Sequence, residues 1–208
     1  MKKYYDYLKL IIFTMGSQAL IYFIIKNFIS DYNIINSFVN VPLIKPFVLV
    51  YDSWYPFIVM NTFLIYRSDK KIFNYLIVTM LGGAILSQIT FVAYPTVVLR
   101  PNIEVKNAID WLLDFTYKSD TPAVNCLPSM HCVYCFVTSY YILKCSNLKK
   151  RVKTPIIIFA ILIVLSTVFI KQHIIEDVIL AFIYTSIVIT LVHFNKNNID
   201  KLFNKLNI

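Results

Sequence analysis

The sequence predicts an all-α fold, a bundle of six transmembrane helices that forms one integral membrane domain over residues 1–208. Three observations predict it. Hydrophobic residues make up 58% of the chain and charged residues only 15%, which is not the composition of a soluble globule. The apolar residues fall into blocks of about 17 to 23, the length that crosses a hydrocarbon core of roughly 30 Å as a helix. The basic residues cluster beyond alternate ends of these blocks.

The six predicted spans are each an apolar run bounded by charged or proline-bearing segments. They cover approximately residues 9–26, 48–66, 72–94, 129–144, 154–171 and 175–194. A polar stretch from Asp31 to Lys45 separates the first two spans, and the longest loop, Tyr94 to Pro128, separates the third from the fourth. The chain has only three glycines, so the sequence argues against helix packing based on glycine.

The long loop after the third span contains a segment, Ile103–Phe115, with helical periodicity. Its apolar and polar positions fall on opposite faces: Val105, Ala108, Ile109, Leu112 and Leu113 against Glu104, Lys106, Asn107, Asp110 and Asp114. This pattern predicts an amphipathic helix that lies in the membrane interface. Such a helix would seal the bundle or act as a lid that guides substrate.

The distribution of positive charge predicts the orientation of the chain. Most of the 20 Lys and Arg residues lie in the N-terminus, the Arg67–Lys71 turn, the Lys144–Lys153 turn and the C-terminal tail. These segments are therefore predicted to be cytoplasmic, in a multi-pass protein of the cell membrane with both termini inside. The net charge of +9 is dispersed, which argues against a nucleic-acid partner and leaves the bilayer as the partner that the sequence predicts.

Residue usage gives two further indications. The abundance of lysine, isoleucine and asparagine suggests a bacterial source. Cys132 and Cys135 lie one helical turn apart and are interpreted as small apolar residues of the bundle, against a metal or redox role. No metal and no cofactor is predicted.

Two histidines stand at the predicted outer ends of apolar spans. His131 ends the run Pro128-Ser129-Met130-His131, and His173 begins the run His173-Ile174-Ile175-Glu176-Asp177. A histidine is costly in hydrocarbon, so two of them at matching depth indicate a functional site. The third histidine, His193, is predicted near the opposite face.

The segment around His131 has the features of an anion site. Ser129 is a natural N-cap of the fourth span, so the backbone amides that follow, from Met130 onward, point outward without partners. A phosphate at this helix end would be held by those amides and the helix dipole, with His131 in reach of one oxygen. The alternative is an ordinary cap followed by an interfacial histidine.

The segment around His173 has the spacing of an oriented base or nucleophile. His173 and Asp177 are four residues apart, which places them on one face of a helix. A carboxylate on one ring nitrogen fixes the tautomer and leaves the other nitrogen to attack phosphorus or accept a proton. Glu176 is a competitor for this role, and a solvated helix start is the alternative for the whole segment.

Other polar residues are predicted close to these histidines. Arg100 and Lys171 are outer-side cations suited to binding phosphate oxygens, although lipid headgroups are the alternative ligand for each. Asp52, Asp120 and Asn125 lie near the predicted mouth and would position an acceptor, or else form caps and loop hydrogen bonds.

The order of these motifs resembles a known family. Arg100-Pro101, then Pro128-Ser129-Met130-His131, then Ser166 with His173 and Asp177 resemble the three signature blocks of the type 2 phosphatidic acid phosphatase superfamily, membrane branch. The resemblance implies that His131 protonates the leaving group, that His173 is the nucleophile that becomes phosphorylated, and that Asp177 orients it. It also implies phosphate binding by Arg100 and Ser129.

The chain departs from the family pattern at two positions. Ala93 stands where the first block has a lysine, and Thr167 stands where the third block has an arginine. Lys171 is predicted to supply part of the missing charge. The run Ser166–His173, with Asp120-Thr121-Pro122 and Tyr51–Pro56, resembles the branch that includes inositolphosphorylceramide synthases.

The resemblance implies a function. We expect a metal-independent lipid phosphate phosphatase that forms a phosphohistidine on a phosphatidate-like or polyprenyl (di)phosphate substrate at the extracytoplasmic face. A first alternative is a head-group transferase that passes a phosphoryl-linked group to an alcohol. A second is a catalytically idle relative that binds or transports lipid.

Overall fold

The computed structural model describes residues 4–206, and its elements are nearly all helical. The helices are α1 Tyr5–Phe28, α2 Val48–Asp52, α3 Trp54–Ser68, α4 Lys70–Ala93, α5 Ala108–Ser119, α6 Met130–Lys144, α7 Lys150–Phe169, α8 Ile175–Phe194 and α9 Lys196–Lys205. A short 3-10 turn, Lys45–Phe47, precedes α2, and two strands, β1 Asn33–Ile35 and β2 Thr96–Val98, lie in the loops.

Among residues 4–206, five helical segments are long and apolar enough to cross a membrane, as expected of a multi-pass membrane protein. They are Tyr5–Phe28, Lys45–Ser68, Lys70–Ala93, Lys150–Phe169 and Ile175–Phe194. Each overlaps one of the predicted spans, and the ends of the first four differ by a few residues. The remaining predicted span, 129–144, corresponds to α6, which has 15 residues and is shorter than the roughly 17 needed to span. That α6 crosses the membrane stays a prediction.

Helix α6 forms the centre of the bundle and packs against α3, α4, α7 and α8. Its N-terminal half is the most deeply buried: Cys132, Val133, Tyr134, Cys135 and Val137 have no exposed surface. The thiols of Cys132 and Cys135 are free. Because α6 is enclosed by its neighbours, the residues at its N-terminus are held by contacts from several helices.

Two adjacent glycines allow α4 to approach two neighbours closely. A Cβ atom at Gly82 would lie 2.7 Å from Cγ1 of Val188 in α8, and one at Gly83 would lie 2.9 Å from Cγ1 of Val133 in α6. Both distances are shorter than a carbon–carbon contact of roughly 3.5 Å. The sequence contains no glycine-based packing motif of the GxxxG kind, yet two adjacent glycines still allow α4 to approach both neighbours closely.

We expect Gly82→Ala to lower the free energy of unfolding by about 1–3 kcal/mol, because the added methyl group must displace the stiff side chain of Val188. The matched control is Gly16→Ala in α1, where an added Cβ meets no atom within 4 Å. This control substitution should leave the free energy of unfolding unchanged or raise it by up to about 1 kcal/mol, because alanine has a higher helix propensity than glycine. Unfolding experiments in mixed detergent micelles measure the free energies of both variants. Equal free energies of unfolding for the two variants would contradict the close approach of α4 to α8.

A small parallel ladder joins two loops near the end of the bundle that carries His131 and His173, and the all-α prediction did not include it. Asn33–Ile35 pairs in register with Thr96–Val98, and Thr96 also bridges to Asn125. Extended loop segments leave N–H and C=O groups unpaired, and mutual pairing satisfies them. The ladder thereby ties the loops after α1, α4 and α5 together.

The helix in the long loop is shifted from its predicted bounds. Helix α5 is Ala108–Ser119 and not 103–115, because the side chain of Asn107 caps it by accepting from Asp110 N at 3.0 Å. Trp111 and Phe115 are exposed and their rings stack at 5.6 Å. The placement of α5 in a membrane interface stays a prediction.

An amphipathic helix follows α8, in the segment that was predicted as a cytoplasmic tail. Helix α9, Lys196–Lys205, buries Ile199 and Phe203 against the bundle. Asp200 in the same helix pairs with Lys71 of α4 at 2.8 Å.

Candidate active site

The two histidines predicted to form a site line the same cavity. Their ring centroids are 6.1 Å apart. The cavity has a volume of about 420 Å³, within the range of small-molecule sites. His131 comes from the first turn of α6 and His173 from the turn before α8, so two helix starts converge at this point.

A tight turn between α7 and α8 positions His173. The amides of Gln172 and His173 both donate to the carbonyl of Thr167 at 3.0 Å, which reverses the chain. Lys171 sits in the turn with a φ of 58°, a left-handed conformation that costs a non-glycine residue about 1–2 kcal/mol. As a result, the imidazole of His173 is 8% exposed and faces the cavity.

Asp177 holds the ring of His173. Its Oδ2 lies 2.9 Å from His173 Nδ1 and also accepts from the amide of Ile174 at 3.2 Å. Glu176, the competitor, instead accepts from Ser37 Oγ at 2.9 Å and from Phe38 N at 2.8 Å. With Nδ1 bound to a carboxylate, the proton sits on Nδ1 and the lone pair of Nε2 is available for chemistry.

Aromatic residues from the N-terminal third of the chain hold His131. Its ring stacks on Tyr51 with centroids 4.4 Å apart and lies 4.5 Å from Trp54. Trp54 Nε1 also donates to the carbonyl of His131 at 3.2 Å. This role of Tyr51 and Trp54 was not predicted, although a spacing of three residues is the one that places two side chains on the same face of a helix.

Ser129 caps α6 as predicted. Its side chain accepts from the amide of Cys132 at 3.4 Å, and its own amide donates to the carbonyl of Asp177 at 3.3 Å. The second contact fixes the start of α6 beside the start of α8. The amides of Met130 and His131 belong to the first turn, where a helix offers no acceptor four residues earlier. Met130 lines the cavity.

The two predicted cations do not line the cavity. The guanidinium of Arg100 binds the carboxylate of Asp120 and donates to the carbonyl of Tyr117 at 3.2 Å. The ammonium of Lys171 donates to the carbonyl of Val41, because its turn directs the side chain toward that loop. Arg100 therefore neutralises one carboxylate of the wall, and the binding of phosphate by Arg100 and Lys171 stays a prediction.

The three predicted acceptor-positioning residues do line the cavity. Asp120 is bonded to Arg100 and to the hydroxyl of Tyr22. Within the described part of the chain, the hydrogen bonds of the Asp52 carboxylate are two long contacts of 3.4 Å from Thr116 Oγ1. Neither polar atom of the Asn125 amide has a hydrogen-bond partner within residues 4–206, although both are buried. A buried amide without partners indicates that a ligand or water satisfies it.

Gln172 is a further polar residue of the cavity that the sequence analysis missed. It is 1% exposed, it lines the cavity next to His173, and its Nε2 has no acceptor among the described residues. This nitrogen is a donor that can bind a phosphoryl oxygen. Its only signal in the sequence is its place directly before His173.

Two other properties of the site bear on its chemistry. Burial raises the pKa of the Cys126 thiol to about 12, so this cavity residue is a neutral thiol and not a competing nucleophile at pH 7. Across the described range, 4–206, no three His, Cys, Asp or Glu side chains form a group that could hold a metal ion.

Comparison with protein families identifies the group to which these motifs belong. The family model described as the PAP2 superfamily matches residues 71–200, more than half of the chain. The chain belongs to the PAP2 superfamily. No curated protein and no solved structure matches it.

Members of the PAP2 superfamily are generally phosphoric ester hydrolases, and membership indicates phosphatase-type activity on lipid phosphates. The resemblance seen in the sequence is confirmed at this level, whereas the inositolphosphorylceramide synthase-like subgroup stays a prediction. The PAP2 match contains both histidines and Asp177. It leaves out α1 to α3, which nevertheless supply Tyr22, Asp52 and Trp54 to the cavity wall.

Proposed function

We propose that this PAP2 protein is a lipid phosphate phosphatase that works through a phosphohistidine on His173, with the site on the extracytoplasmic face and both termini in the cytoplasm. The observation that carries the proposal is the pair of imidazoles in one cavity, 6.1 Å apart, of which one is oriented by a buried carboxylate. That separation suits one phosphoryl group contacted from both sides at roughly 3–3.5 Å.

The proposed reaction has two steps. In the first, Nε2 of His173 attacks phosphorus, the bond to the lipid oxygen breaks, and His131 donates a proton to that oxygen. In the second, His131 removes a proton from water, which attacks the phosphohistidine and releases inorganic phosphate. His131 therefore ends the cycle protonated, as it began.

In this proposal, neutral hydrogen-bond donors and the N-terminus of α6 stabilise most of the negative charge on the phosphoryl group. The phosphoryl oxygens would bind the first-turn amides of α6, at Met130 and His131, together with Nε2 of Gln172. The Asp177 carboxylate stabilises the positive charge that develops on His173 when it attacks. Phosphatidate, phosphatidylglycerol phosphate and polyprenyl diphosphate all present the required group.

A specific observation favours the transferase as a second candidate. Asp52 is loosely held and the amide of Asn125 is without partners in the described part of the chain, and both lie on the cavity wall. The Asp52 carboxylate can accept a hydrogen bond from the hydroxyl of an alcohol, and the Asn125 amide can donate one to it. An alcohol bound there would replace water in the second step and take the phosphoryl-linked group.

The test is product analysis with the purified full chain in detergent and EDTA. We expect phosphate release from at least one of the three lipid substrates. If an alcohol product forms when polyols are added, Asp52→Asn should lower the ratio of transfer to hydrolysis, whereas the matched control Asp114→Asn on the surface of α5 should not. Binding of lipid phosphate with no product from any substrate would instead identify the idle lipid-binding relative.

A further inference from the structure

A second cavity lies at the opposite end of the bundle from the histidine pair. Its volume is about 180 Å³, and it is formed by α4, α6, α8 and the start of α9. Lys144, which lines it, is the last residue of α6, whereas His131 is in the first turn of the same helix. The two sites are therefore roughly 20 Å apart at 1.5 Å per residue.

The lining of this second cavity is basic. Lys144, His193 and Lys196 all contribute to its wall, which within the described residues contains no Asp or Glu. The carboxylate that lies nearby, Asp200, is already occupied, since it accepts from Tyr75 Oη at 2.7 Å and pairs with Lys71 at 2.8 Å. The positive charge of the cavity is thus not neutralised by its own wall.

Both lysines of the second cavity lie over tyrosine rings. The ammonium of Lys144 lies 5.4 Å from the ring centroid of Tyr140, and that of Lys196 lies 5.7 Å from the ring centroid of Tyr75. A ring face attracts a cation but leaves its N–H donors free. Neither ammonium takes part in a salt bridge within residues 4–206.

Three tyrosines and three aliphatic side chains form the rest of the wall. Ile189 and Val192 of α8 and Ile72 of α4 contribute to it. A basic rim above an apolar wall, at the ends of helices long enough to cross a membrane, matches a phosphate joined to a lipid. The volume is below the roughly 300 Å³ at which drug-sized sites begin, so it suits a compact headgroup and not an acyl chain.

We propose that this second cavity binds the phosphoryl group of an anionic phospholipid in the leaflet opposite to the catalytic cavity. The two lysines would supply the charge, and Tyr140, which also lines the cavity, has a hydroxyl that can donate to a phosphate oxygen. The site does not depend on the proposed catalysis, and its test measures binding and not turnover.

The experiment compares the double variants Lys144→Gln/Lys196→Gln and Lys201→Gln/Lys205→Gln. Both remove two charges, but Lys201 and Lys205 are exposed on α9 outside the cavity. Every protein carries His173→Gln so that no ligand is consumed. Calorimetry in non-ionic detergent then measures binding of short-chain phosphatidylglycerol, short-chain phosphatidylcholine and inorganic phosphate.

We expect the first double variant to bind phosphatidylglycerol about thirty-fold more weakly than the second, at roughly tenfold or less per lysine. Lys144→Arg/Lys196→Arg should restore binding, which separates loss of charge from a failure to fold. Equal binding by the two glutamine variants, or loss of binding in the arginine variant as well, would overturn the proposal. Inorganic phosphate could instead bind as tightly as phosphatidylglycerol and depend on the lysines to the same extent. That result would retain the phosphate site and overturn the proposal that its ligand is a lipid.

Discussion

Replacing His173 by alanine is expected to reduce phosphate release to background, a loss of at least about 10⁴-fold. The reason is that the proposed pathway has no other nucleophile: His131 stands on the opposite side of the phosphoryl position, and the Cys126 thiol is protonated. The measurement is phosphate release from the best lipid substrate, together with trapping of labelled phosphate on the quenched protein. Label that is stable in base and lost in acid, and absent from the variant, identifies a phosphohistidine.

The controls for this prediction are two neighbouring carboxylates. Asp177→Asn should lower the rate by roughly 10²–10⁴-fold, because the amide no longer stabilises the charged ring of His173. Glu176→Gln should retain the rate, since Glu176 binds Ser37 and Phe38 and not the imidazole. Full activity in His173→Ala, or equal losses in the two carboxylate variants, would refute the assigned roles.

The second large effect is expected from His131→Ala, and its size should depend on the leaving group. With a lipid alkoxide as leaving group, the loss of the proton donor should slow the first step by roughly 10²–10⁴-fold. With an aryl phosphate such as p-nitrophenyl phosphate, the leaving oxygen needs no proton, so the first step should proceed. The phosphohistidine should then accumulate, because the base for the second step is also missing.

A rapid-quench time course distinguishes these outcomes. A burst of p-nitrophenol with slow turnover in His131→Ala supports the dual role of His131. Equal losses for the lipid and the aryl substrate would show that His131 acts only in binding. The conservative variant His131→Gln keeps a polar group beside Tyr51 and Trp54, and it should behave like alanine if proton transfer is the essential function.

Several features followed from the sequence because local patterns encode them. The long apolar runs gave helices such as 175–194 with the predicted bounds, since a membrane-length hydrophobic stretch has few other stable forms. The cap at Ser129 and the contact between His173 and Asp177 could also be predicted from the sequence, because an N-cap and an i, i+4 contact each join residues about one helical turn apart.

The features that the sequence did not indicate depend on residues far apart in the chain. Lys171 and Arg100 had the right charge and the right end of the bundle, but their partners, Val41 and Asp120, are set by the packing of loops. The contacts of Gly82 and Gly83 with α8 and α6 were not predicted for the same reason, since a local sequence pattern does not predict which residues of another helix a given helix face contacts.

The sequence alone determined that the chain forms apolar helices and carries an oriented histidine at a helix start, since these follow from interactions along a single helix. Only the tertiary structure decided that His131 and His173 share one cavity, that Tyr51 and Trp54 hold the first of them, and that Asp177 and not Glu176 holds the second. These outcomes rest on contacts between segments from about 40 to 140 residues apart, such as His131 with His173, Tyr51 with His131, and Ser37 with Glu176. Their geometry exists only once all the helices are packed.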